Sequence, residues 1–175
     1  MSRLIRTGWL GVCVILMGSA LGARERGEIG PVKANGPQEV DVVAVMLDPQ
    51  TQQPTVVLQG RRDKRSFAMA IGLAEATGIA IPLQGVTPPR PLTHDLFLTM
   101  FGRLNVSLKR VVITDVRDDV FYAALYLTGQ GGDIMLDARP SDAIALAIRA
   151  KVPVLVEDRV FEKAGSATAG EGQRI

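Results

Sequence analysis

The hydrophobic positions of this chain change period several times, and each change marks an element. Val40 to Leu47 (VDVVAVML) is compact and β-branched, and Asp48-Pro49 ends it. It predicts a strand, with Pro54 to Gly60 (PTVVLQG) as its hairpin partner across DPQTQQ. Ser66 to Ile71 predicts a third strand, which Gly72 breaks. Leu73 to Leu83 reads as a helix with Glu75 in its first turn. The proline-rich stretch from Val86 to Pro91 is neither helix nor central strand. Thr93 is then expected to cap a helix in which Leu96, Met100 and Leu104 share one face, with Phe97 and Phe101 beside them. Leu108 to Val116 and Val120 to Leu127 flank Arg117-Asp118-Asp119, a tight-hairpin signal, and Asp133 to Ala138 follows the Gln130-Gly131-Gly132 turn. Three strands joined by short turns predict an antiparallel meander. Ser141 is expected to cap an almost wholly apolar helix from Asp142 to Lys151; Val152 to Val156 reads as a buried strand and Asp158 to Ala164 as a short last helix. The order predicts a single α+β domain: a mixed, largely antiparallel sheet with three to four helices.

Before this domain the pattern is different. Arg3 and Arg6 precede an apolar run from Gly8 to Ala20, small residues follow to Ala23, and charge begins at Arg24. That layout predicts a cleaved signal peptide over residues 1–22; the run falls short of the roughly 20 apolar residues of a spanning helix. Residues 23–37 read as a flexible linker, 38–165 as the domain and 166–175 as a disordered tail. The expected product is exported, periplasmic or secreted, with no stable membrane anchor once the leader is cleaved.

Charge and cysteine content narrow the chemistry. The chain has 20 basic and 18 acidic residues, and without Arg3 and Arg6 the two are equal. A nucleic-acid binder of this composition relies on a local patch rather than on overall charge. Cys13, the single cysteine, lies in the leader, which excludes a cysteine nucleophile from the domain. No phosphate-binding glycine loop and no nucleophile elbow is present. His94 is the only histidine, so a metal site would lean on carboxylates and favour Mg²⁺ or Mn²⁺.

Three places concentrate unusual polarity. His94 and Asp95 stand in the first turn of a helix, where an acid also complements the helix dipole. Arg139, Ser141 and Asp142 surround the start of the apolar helix, where a guanidinium and free amides make an anion pocket, although Ser and Asp there are also ordinary capping residues. Glu75 opens a third helix. The cluster Arg61, Arg62, Lys64 and Arg65 reads as a solvated turn or as a strip that tracks a phosphate backbone.

The segments RPLTHDL (Arg90 to Leu96), RVVITDVRDDVFYAALYL (Arg110 to Leu127) and LDARPSDAIALAIRAKVPVLVED (Leu136 to Asp158) resemble the bifunctional nuclease domain of bacteria and plants. AIGLAEATGIAIPLQG (Ala70 to Gly85) stands in place of that family's IGxxEA stretch, and the resemblance runs from about Val40 to Gly165. It implies DNase and RNase activity and places the family's polar positions on Glu75, His94, Asp95, Arg139, Ser141 and Asp142. The resulting expectation is a metal-dependent phosphodiesterase acting on DNA or RNA. Asp95, Asp142 and Glu75 would hold Mg²⁺ or Mn²⁺, His94 would move the proton and Arg139 would clamp the phosphate; Ser141 and the Arg61–Arg65 cluster would bind substrate. The alternative is a non-catalytic domain of the bacterial envelope that binds an anion or a protein in the same pocket. A homo-oligomer is compatible with either.

Overall fold

The computed structural model describes residues 36–171, with side-chain surroundings given as far as Ala164. The leader at 1–22, nearly all of the 23–37 linker and the last residues of the tail lie outside the described residues. Seven strands form one sheet in the order β3-β2-β1-β7-β4-β5-β6. They are β1 (Gln38–Leu47), β2 (Pro54–Gly60), β3 (Ser66–Ala70), β4 (Ser107–Arg117), β5 (Val120–Gly129), β6 (Gly132–Ala138) and β7 (Val154–Val156). The helices are α1 (Leu73–Leu83), α2 (Thr93–Arg103), α3 (Pro140–Ala150) and α4 (Asp158–Glu171). Every strand pairing is antiparallel except β4 with β7. The fold is therefore α+β, with an open, mostly antiparallel sheet.

The local chemistry behind these elements is legible. Asp48 accepts hydrogen bonds from the amides of Gln50 and Thr51, closing the β1–β2 turn. Asp118 and Asp119 both adopt positive φ, as a two-residue hairpin between β4 and β5 requires of its central pair. The expected antiparallel meander is β4-β5-β6. β7, formed from the chain after α3, inserts between the hairpin strand β1 and the meander strand β4 and joins the two halves into one sheet.

One hydrophobic core collects side chains from the sheet and from α1, α3 and α4. Within α3, Ala143, Ile144, Ala145, Leu146 and Ala147 are all buried, which accounts for a helix apolar on nearly every side. Phe67 stacks on Phe121 and meets Phe161 of α4 edge-on. α2 is the exception, because none of its residues is buried. Its helical stripe was correctly spaced, but Leu96 and Leu104 face outward, 64 % and 63 % exposed, while Leu98 and Phe101 touch the core.

Three sequence expectations are corrected. Thr93 is the first residue of α2, not its cap; Leu92 is the N-cap, and its amide donates to Asp95 Oδ2 at 2.8 Å. Ser141 is likewise inside α3, whose N-cap is Arg139. Pro140 takes the first helical position, where its fixed φ suits the helix and its missing N–H costs nothing. Finally, α4 continues to Glu171 instead of ending at Ala164.

Candidate functional site

The amino ends of α1, α2 and α3 converge beside β5 and β6 around a cleft of about 870 Å³. Its polar end is built by Glu75 of α1, His94 of α2, and Arg139 and Asp142 at the start of α3. Phe97, Met100, Phe101, Leu125 and Leu136 line the apolar end.

Arg139 organises the polar end. Its Nε donates to Asp142 Oδ2 at 2.7 Å and its Nη2 to Oδ1 at 3.1 Å, while Nη1 reaches Glu75 Oε1 at 2.8 Å. Guanidinium carries five N–H donors, so two remain unengaged on a side chain that is 65 % exposed. His94 Nε2 faces Asp142 Oδ1 at 3.3 Å. Partial burial pushes the Asp142 carboxyl up, but the hydrogen bonds and charge of Arg139, with help from His94, outweigh that and hold it below its ordinary value. As an ionised acceptor, Asp142 holds the His94 ring through its Nε2 side. The two carboxylates beside Arg139 drive its own pKa up.

Glycines make the room. A methyl group on Gly72 would collide with the Glu75 carboxylate, which folds back over the start of α1. A methyl on Gly78 would lie 3.0 Å from His94 Cε1 and 3.3 Å from Nδ1, so glycine lets that edge of the ring pack closely against α1. Glu75 and the two glycines fall at intervals of three in the same helix stretch.

Asp95 belongs to the scaffold around this end. Its Oδ1 accepts from Arg149 Nε at 2.9 Å, and its Oδ2 caps α2 at Leu92. Arg149, only 7 % exposed, also donates to Gly78 O at 2.6 Å and Ala145 O at 3.0 Å, so one guanidinium ties α1, α2 and α3 together. The expected metal ligands Glu75, Asp95 and Asp142 are therefore not gathered on one point. Glu75 and Asp142 share Arg139, and Asp95 is committed to Arg149. Among the described residues no three His, Cys, Asp or Glu side chains are placed to hold a metal ion. As arranged, the donors do not fit the three-carboxylate site, because Glu75 and Asp142 are engaged by Arg139 and Asp95 by Arg149.

Ser141 is buried beneath the rim. The basic cluster sits at the β2–β3 turn, at the opposite end of β3 from α1. Arg61 pairs there with Glu39 and Asp41, and Arg65 with Asp63 and Asp158. Arg65 also lies over the Phe161 ring. Arg62 is exposed in the same turn, and Lys64 adopts positive φ there. The structure thus separates this cluster from the cleft.

Sequence reasoning missed Gly72, Gly78, Arg149 and the apolar wall. Arg149 left a signal: a lone charge inside the apolar run AIALAIRA needs a buried partner. The glycines left none, since close approach of a side chain from another helix is a tertiary fact.

The chain is similar to known proteins of bacteria and plants. An uncharacterized protein of Mycobacterium tuberculosis (strain H37Rv) is 42% identical over 127 residues, covering 73% of this chain and 76% of that protein. Bifunctional nuclease 1 of Oryza sativa subsp. indica is 37% identical over 81 residues, 45% of this chain and 24% of that protein. Bifunctional nuclease 2 of Arabidopsis thaliana is 26% identical over 106 residues, 51% of this chain and 32% of that protein. This chain therefore spans a quarter to a third of these plant proteins. The model of the bifunctional nuclease domain matches residues 56–169, and with the mycobacterial relative it shows that the chain belongs to the bifunctional nuclease domain family.

Proposed function

We propose that this domain is a nuclease that hydrolyses a phosphodiester at the polar end of the cleft. The observation that carries the reading is Arg139, which presents two unengaged N–H donors beside a His94–Asp142 pair at the mouth of one cleft. A phosphate seated on those donors also meets the amino end of α3, whose first amides lack intrahelical partners. His94 is the proton carrier. Water adds to phosphorus as its proton passes to the His94 ring; the P–O bond to the sugar breaks, and the departing oxygen takes the proton back. Asp142 holds the ring and offsets its positive charge, as the carboxylate of a catalytic triad does. Arg139 stabilises the charge that develops on the phosphoryl oxygens. The plant relatives named as bifunctional nucleases support the reaction class. The leader pattern at 1–22 supports a site of action outside the cytoplasm.

The test is cleavage of DNA and RNA by the purified chain, with separate arms in chelator, Mg²⁺ and Mn²⁺, beside Arg139→Gln and His94→Asn. Removing one preorganised donor to developing charge typically costs 10²–10³ in turnover, and about that loss is expected for Arg139→Gln. Binding without turnover in every arm would favour the non-catalytic, anion-binding reading. Turnover unchanged in both variants would remove the mechanism.

A further inference from the structure

The nuclease reading uses the polar residues of the cleft and leaves its apolar lining without a role. We infer that the apolar end is a subsite for one unpaired nucleobase, so that the substrate class is single-stranded nucleic acid; this rests on the reading above. Three observations lead there. First, α2 has no buried residue, yet two of the five phenylalanines of the chain, Phe97 and Phe101, lie on it and line the cleft. Phe101 packs against the core with one side, whereas Phe97 stands on the cleft wall and is not part of the core. Their rings meet edge-to-face at 6.3 Å, and Phe97 is 44 % exposed. Second, the aromatic wall and Arg139 share one cleft, the arrangement in which a phosphate and the base of one nucleotide are held together. Third, about 870 Å³ falls in the range of small-molecule sites and accommodates a nucleotide.

A duplex cannot use such a site. Its bases are stacked and paired inside, so it offers the protein only phosphates unless a base is extruded at a cost in stacking and pairing. An unpaired strand presents its bases at no such cost. The wall formed with Met100 and Leu136 is apolar and meets the face of a base rather than its edge. Every base has that face, so the expected preference is for strandedness over sequence.

The experiment measures binding and cleavage of a fluorescein-labelled single-stranded 12-mer and of a hairpin duplex containing the same sequence, by the full chain, Phe97→Ala and Phe97→Trp. Binding of the single strand at least tenfold tighter than the duplex is expected. Phe97→Ala should reduce that ratio by roughly tenfold, the scale of losing one base–aromatic stack, and Phe97→Trp should keep it. Equal binding and cleavage of the two forms by wild type would overturn this inference and leave the nuclease reading standing. So would a Phe97→Ala variant that keeps the full ratio. Neither bound nor cleaved would overturn both.

Discussion

Arg139 Nη1 donates to Glu75 Oε1 across 2.8 Å, joining two helix amino ends that are 64 residues apart in sequence. This bond links α1 to α3 at the mouth of the cleft, and the same guanidinium grips Asp142 with its other two engaged nitrogens. The Glu75 carboxylate folds back over Gly72, three residues earlier.

The same logic makes Gly78→Ala informative. Alanine in the interior of a helix gains about 1 kcal/mol over glycine in propensity. Against that, the new methyl would press on His94 at 3.0–3.3 Å. The two effects should leave the midpoint of unfolding within about 1 kcal/mol of wild type, while nucleolytic turnover falls tenfold or more as the ring is pushed out of register with Asp142. Thermal melts and single-turnover cleavage separate the two. Unchanged turnover would mean that the position of the His94 ring does not matter to the reaction.

How much of this was visible in the sequence depends on the kind of information. Strand and helix order followed from period and turn chemistry, because those are local; the paired aspartates between β4 and β5 are an example. The α3 start was misplaced because Ser141 is a good cap by type, whereas Pro140 at the first helical position outranked it. The α2 stripe was found but its direction was not, since periodicity tells which residues share a face and nothing about what that face meets. His94, Asp142, Arg139 and Glu75 were all named from local chemistry, and the fold brings them together. Asp95 was named beside them, yet its partner Arg149 turned it into a strut, a role fixed only by the packing of three helices.

The core supports the site directly. Leu146 is 4 % exposed, sits in the middle of α3 and forms part of the cleft floor. Leu146→Ala should cost about 2–5 kcal/mol in chemical denaturation, the range for a buried leucine that leaves a cavity. A loss under about 1 kcal/mol would contradict the burial.

Acid titration reads Asp142. Its carboxyl is held below the ordinary 3.8 in the folded chain. A group with a depressed folded value adds stability that is fully present above its unfolded value and is lost as pH falls through the folded one. The stability difference between wild type and Asp142→Asn should therefore be constant above pH ~5 and shrink below pH ~4. Asp63, held at about 2 where hydrogen bonds from Arg65 and Gln38 outweigh its burial, keeps titrating in both proteins and serves as the shared background. Melts of the two proteins from pH 2 to 6 supply the comparison, and a difference that persists at the lowest pH would disprove the assignment.

The last prediction concerns the cation at the centre of the polar end. In this structure Arg139 neutralises Glu75 and Asp142 together. A divalent ion that used both carboxylates would have to displace it, and Asp95 would not help, being held by Arg149. Arg139 is therefore expected to compete with any metal offered to these carboxylates. Arg139→Gln removes the competitor and leaves two carboxylates facing one point without a counter-charge, an arrangement that repels itself and favours a bound cation. The variant should be less stable than wild type without metal and should gain more from Mn²⁺. A ligand present at 100 times its dissociation constant adds about 2.7 kcal/mol to the folded state, which a thermal melt resolves easily. Wild type and Arg139→Gln are to be melted in chelator and in millimolar Mn²⁺, with Glu75→Gln/Arg139→Gln as the control that removes one of the two ligands. The larger Mn²⁺ shift is expected in the single variant and should disappear in the double. If wild type shifts as much as Arg139→Gln, metal binds without displacing the guanidinium, and the competition proposed between them is wrong.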